Sequence, residues 1–136
     1  MSSLKTEFRT VTELDHVRIH KLMRRQGGVV AGDIAEVIDN ADLVRSQEIP
    51  ANVVTMYSQV LVADVHSGEQ RTLTLCYPAD TDPAAGFISV LSPVGASLLG
   101  LPIGAIASWT APDGTRVAAQ VLDILFQPEA SGDYVL

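Results

Sequence analysis

At Ile49-Pro50 the spacing of apolar residues changes from three and four to two. A proline disfavours helical geometry in the residue before it, so a helix does not run through this point. Upstream, Leu14, Val17, Leu22 and Met23 make one apolar helical face, with Arg18, Lys21 and Arg25 outside it. Ile34, Val37, Ile38, Ala41 and Val44 make a second. Downstream, residues 53–63 and 71–77 read as strands of a hairpin turning near Ser67-Gly68. Residues 87–91 read as a third strand. Ser92 is then a good N-cap and Pro93 a favourable first helical residue, for a helix that stops near Gly100. Residues 106–110 and 115–126 make a last hairpin around Ala111-Pro-Asp-Gly114.

The two upstream segments carry their own start signals. Thr10-Val-Thr-Glu13 has the capping-box spacing, and Thr12-Glu-Leu-Asp15 is an alternative start. Gly27-Gly28 stops the first helix, and Asp33 caps the second, with Glu36 at its third position. Two helices of roughly 14 residues joined by a short turn pack as an antiparallel hairpin, an arm about 20 Å long. The expected architecture is α+β. Residues 1–49 form a short coiled-coil arm, and residues 50–136 form a curved antiparallel sheet wrapped on one helix.

Composition narrows what such a chain can do. Hydrophobic residues make up 47% of it and aromatics 5%, so the core is built from Val, Leu, Ile and Ala. No apolar run approaches the ~20 residues that span a bilayer. The opening Met1-Ser-Ser-Leu-Lys-Thr-Glu7 lacks a signal-peptide pattern, so a cytoplasmic protein without membrane contact is expected. Residues 1–50 carry seven Lys/Arg against eight Asp/Glu, and residues 51–136 two against eight. That acidic second half cannot neutralise many phosphates, which argues against direct sequence-specific binding of nucleic acid.

The reactive residues are few. Cys76 lies in an alternating apolar run, where a buried thiol is the ordinary state. His16 and His20 are four apart on a helix, but the sequence shows no third metal ligand beside them. Asp80 and Asp82 lie on a proline-bordered loop, where paired carboxylates are usually solvated. Gly95, Gly100 and Gly104 read as helix-end and turn positions and not as a phosphate cradle. No serine nucleophile is marked. These residues predict a non-enzyme with no catalytic residue, no metal and no cofactor.

Ile88-Ser-Val-Leu-Ser-Pro-Val-Gly-Ala-Ser-Leu-Leu-Gly-Leu-Pro-Ile-Gly104 resembles the signature of the C-terminal domain of bacterial Gre-type transcript-cleavage factors. It departs from the Gre pattern at Ala105, where that pattern often has aspartate. Pro50-Ala-Asn-Val-Val-Thr-Met56, Cys76-Tyr-Pro-Ala79 and the closing Gln127-Pro-Glu-Ala-Ser-Gly-Asp-Tyr-Val-Leu136 resemble a short-armed branch of the same group, linked to nucleoside diphosphate kinase. The resemblance implies an FKBP-like fold and docking on the rim of the secondary channel of bacterial RNA polymerase. Ser92 and Pro93 fall where the docking face has its Ser-Pro pair. It also implies competition with Gre-type factors, whose long coiled coils carry acidic tips that help hold a catalytic metal ion.

The arm tip departs from that pattern. It reads Met23-Arg-Arg-Gln-Gly-Gly-Val-Val-Ala-Gly-Asp33, with Arg24 and Arg25 opposed to a cation and Asp33 committed to capping. Stimulated RNA cleavage is therefore not expected. Two other readings stand beside this one. One is a binding module for the kinase or a metabolite. The other is a prolyl isomerase, for which Phe87, Trp109, Phe126 and three tyrosines form no obvious cluster.

Overall fold

A computed structural model describes residues 9–25 and 32–134, with backbone alone at 32 and 33. The Gly27-Gly28 stop and the capping side chain of Asp33 lie outside the described residues, as does the N-terminal stretch read for a signal.

The chain enters through a short strand, β1 (Thr10–Thr12), and passes directly into α1 (Glu13–Arg25). Of the two possible starts, the later one is used: Thr12 Oγ1 accepts a hydrogen bond from the Asp15 amide at 3.0 Å. Ile19 is fully buried, while Arg24 and Arg25 lie exposed in the last turn, where cations suit the helix dipole. The second helix, α2 (Gly32–Asn40), buries Ile34 and Ile38. It opens at Gly32, so Asp33 lies inside its first turn.

That helix ends well short of Pro50. Asn40 Nδ2 donates to the Glu36 carbonyl at 2.9 Å, and the chain then becomes β2 (Asp42–Val44). This strand pairs in parallel with β1, from Thr10↔Asp42 to Thr12↔Val44. Helical spacing did continue through Val44, but backbone pairing to the edge offered by β1 overrides it. Leu43, off the apolar stripe, is 46% exposed. A 3-10 turn over Ser46–Glu48, closed by an Arg45–Glu48 ion pair at 3.2 Å, leads to Pro50.

Five strands follow: β3 (Gln59–Asp64), β4 (Gln70–Cys76), β5 (Phe87–Ser89), β6 (Ile106–Thr110) and β7 (Arg116–Phe126). Their order is β5-β4-β3-β7-β6. The sheet is mixed and not wholly antiparallel as expected, because β4 and β5 run parallel. Two 3-10 turns, Pro78–Asp80 and Pro83–Ala85, carry the chain back so that β5 enters in the direction of β4. Register shifts between β3 and β7 bend the centre of the sheet. The first strand starts at Gln59 and not at residue 53. Residues 53–58 instead form an irregular segment in which Tyr57 adopts a left-handed φ of 66°.

Between β5 and β6 lies α3 (Pro93–Leu98). Ser92 Oγ accepts from the Gly95 amide at 3.1 Å and donates to the Ser89 carbonyl at 2.7 Å, so its one proton is committed within the chain. Gly95 is no helix end. It sits inside α3, and a Cβ there would lie 2.0 Å from the Ser89 carbonyl oxygen. Only glycine lets α3 approach β5 this closely. Gly100 and Gly104, at φ 84° and 96°, do serve as turns.

The core runs across the Pro50 boundary. Val11, Ile19, Ile34 and Ile38 join Val60, Leu75, Val90, Leu98, Leu99, Leu101 and Val121 in one buried cluster. Each such side chain contributes about 1.5–3 kcal/mol relative to exposure. Three polar links reinforce it. The Arg9 guanidinium donates to the Ala96 and Leu99 carbonyls at 3.1 and 2.9 Å, at the C-terminal end of α3. The Thr10 amide donates to the Gly100 carbonyl at 3.1 Å. The Met56 amide donates to Asp15 Oδ2 at 3.3 Å. The helical segment is thus pinned to the sheet domain at its base.

Candidate functional site

Pro93 stands exposed at the start of α3, held by the Ser92 cap. It borders a cleft of about 480 Å³ whose wall is the β6–β7 hairpin, with Trp109 and Arg116 facing it and Ala96 and Ser97 from α3 below. The Arg116 guanidinium is fixed by donating to Thr110 Oγ1 at 2.9 Å and to Ser108 Oγ at 3.2 Å. An exposed proline, a half-buried indole and an anchored cation make a surface suited to protein contact. Ser92 itself is a positioning residue here, because its hydroxyl caps the helix and its one proton is committed within the chain. The sequence did not single out Arg116, and it offered Trp109 only among the aromatics of the isomerase reading. The signal available was their place on the last hairpin, but nothing local shows that this hairpin passes beside α3.

Of the tip residues, one lines another region. Arg25 borders a second cleft, of about 540 Å³, together with Arg18, Lys21, Tyr57 and Tyr77. The two tyrosines meet edge to face with centroids 5.8 Å apart. Burial and the adjacent Asp80 carboxylate push the Tyr57 phenol up to about 12. Its hydroxyl donates to Asp80 Oδ2, so that carboxylate has a partner and is not merely solvated. Of the aromatic side chains named for an isomerase site, Trp109 lines the first cleft and Tyr57 and Tyr77 the second, while Phe87 and Phe126 line neither.

Under the helical segment lies an acidic seam. Burial pushes the Asp15 carboxyl up to about 6 from 3.8, against the opposing hydrogen bonds from Met56 and Thr12. Glu129, whose carboxylate accepts from Thr55 Oγ1 at 2.8 Å, is also raised by burial and adds to the effect on Asp15. Cys76 is buried as expected, and burial raises its thiol, which leaves it unreactive.

The histidines do gain a third neighbour. The rings of His16 and His20 lie 4.6 Å apart between centroids with their planes tilted by 50°, and His20 Nε2 lies 3.7 Å from Oδ1 of Asp39 on α2. Asp39 is 19 residues from His20 in sequence, too far for spacing to suggest the pairing.

With this geometry in view, the similarity to known proteins is specific. Residues 49–126 match the family described as transcription elongation factor GreA/GreB, C-terminal, and the chain belongs to that family. Within it, the chain is 38% identical over 129 residues to the regulator of nucleoside diphosphate kinase (Rnk) of Escherichia coli K12. That match covers 93% of this chain and 95% of that protein. It is 34% identical over 91 residues to transcription elongation factor GreA of Flavobacterium johnsoniae, covering 67% of this chain and 57% of that protein. A solved GreA/GreB-type elongation factor from Nitrosomonas europaea superposes with a TM-score of 0.73 at 33% identity, over 87% of this chain and 99% of that one. The chain is therefore a GreA/GreB-related regulator whose match to the kinase regulator runs nearly end to end. Among the described residues, no helix is long and apolar enough to cross a membrane.

Proposed function

We propose that the protein docks on bacterial RNA polymerase at the rim of the secondary channel and competes there with Gre-type factors, without enzymatic activity and without stimulating transcript cleavage. The observation that carries the reading is the exposed Pro93 on its Ser92-capped helix start, flanked by Trp109 and Arg116. A rigid proline and a half-buried indole packed against the core lose little freedom on binding, so contact area converts efficiently into affinity. The missing cleavage follows from the tip: Arg24 and Arg25 oppose a divalent ion, and Asp33 is the only acid in residues 23–33.

A pull-down of core RNA polymerase tests the docking. Pro93→Glu suits this test because an acidic first helical residue is tolerated, which leaves the cap and fold in place. Polymerase retained by wild type and at least about tenfold less by Pro93→Glu supports the reading, tenfold being about 1.4 kcal/mol. Equal retention overturns it. The near full-length identity to the kinase regulator supports a second reading, a direct contact with nucleoside diphosphate kinase. Co-purification of that kinase without polymerase is its expected result.

A further inference from the structure

We propose that His16, His20 and Asp39 form a binding site for a divalent transition-metal ion, which joins the first helix to the second. His16 and His20 lie one turn apart on the same side of α1, with ring centroids 4.6 Å apart. Asp39 reaches them from the last turn of α2, placing Oδ1 3.7 Å from His20 Nε2. One donor atom from each of the three residues can be taken so that all lie within 4.8 Å of one another.

Two imidazole nitrogens and one carboxylate oxygen suit zinc and its first-row neighbours, and not calcium or magnesium, which take oxygen ligands. Donors on a tetrahedral ion with bonds near 2.0–2.1 Å sit about 3.3 Å apart. Small side-chain rotations close that gap, since the histidines are only partly buried and Asp39 is exposed. The fourth position stays open to water.

An ion pair between His20 and Asp39 accounts for two of the three residues but not for His16. Its ring lies beside that of His20, with centroids 4.6 Å apart and planes tilted by 50°. A metal ion bound to both rings and to Asp39 accounts for all three residues. The ligands come from the flanks of the two helices, outside the 23–33 turn. The site thus differs from a tip-held ion and ties the last turn of α2 to α1.

Calorimetric titration of the full chain with zinc chloride tests the site, alongside cobalt(II) absorption, which reports tetrahedral ligation directly. The expected result is one saturable ion per chain and an intense cobalt d–d band. His16→Ala and Asp39→Asn should each weaken binding at least about tenfold and lose the band. His66→Ala, at the third and last histidine of the chain, should leave both unchanged. Zinc should raise the melting temperature of wild type by several degrees and leave both ligand variants unmoved. His16→Gln replaces His16→Ala if circular dichroism shows the alanine variant to be unfolded. Failure to saturate, or binding that survives both His16 and Asp39 substitutions, overturns the proposal.

Discussion

The helical segment and the sheet domain meet water differently. The sheet domain buries a continuous Val/Leu/Ile core and places its sharpest surface feature, Pro93, on a helix fixed by close backbone packing. Among the described residues, the helical segment contributes Val11, Thr12, Ile19, Ile34 and Ile38 to full burial. Beyond that shared core, a few polar links hold it at its base: Arg9 to the end of α3, Thr10 to Gly100, and Asp15 to Met56. Packing joins both regions, and the helical segment is pinned by these links as well. Substitutions at the seam should therefore separate them, while substitutions under α3 should bring both down together.

The largest effect is expected at Gly95. Gly95→Ala forces a Cβ onto the backbone of Ser89 and Val90, which no side-chain movement relieves. The expected loss is at least about 3 kcal/mol, as a single cooperative transition of both regions in urea. Two resolved transitions would show that the regions are independent.

Next is the pH dependence of the seam. The Asp15 carboxyl is raised to about 6 when folded, so the folded state holds this proton more tightly than the unfolded chain does. Its contribution is complete below the unfolded value near 3.8 and is lost as pH rises through about 6. Asp15→Asn stays neutral at every pH and can still accept from the Met56 amide. It should flatten the fall in stability between pH 4 and pH 8 by up to about 3 kcal/mol, as read from urea midpoints. Glu129 shifts in the same direction and leaves a residual slope, while Arg18 opposes the Asp15 shift only weakly. An unchanged pH profile would remove Asp15 from the seam.

Arg9→Ala is the smallest of the three. It deletes two charge-assisted hydrogen bonds, a loss of about 2 kcal/mol. Faster amide exchange confined to β1 and α1 is the expected pattern. Uniform acceleration across the sheet would contradict the comparison.

The two regions were also unequally legible. The last hairpin was readable nearly to the residue, because Ala111-Pro-Asp-Gly114 is a local turn signal between alternating runs, and Gly114 indeed takes φ 89°. The Ser92 cap and Pro93 were likewise written locally and appear as read. What was not legible depended on partners distant in sequence. Residues 42–44 continue a helical spacing, and only the edge of β1, some thirty residues earlier, makes them a strand. The parallel entry of β5, the backbone pressed against Gly95 and the approach of Asp39 to two histidines are of the same kind. The candidate docking face divides along that line: Pro93 could be read from its helix start, but its neighbours Trp109 and Arg116 could not.

The most direct measurement is cleavage of RNA in backtracked polymerase complexes, with and without a Gre factor. The protein alone should release no cleavage product. Added at increasing concentration beside the Gre factor, it should progressively suppress the stimulated rate, and Pro93→Glu should lose that suppression. Cleavage stimulated by the protein itself, or a Gre-stimulated rate unchanged at saturating protein, would contradict the account.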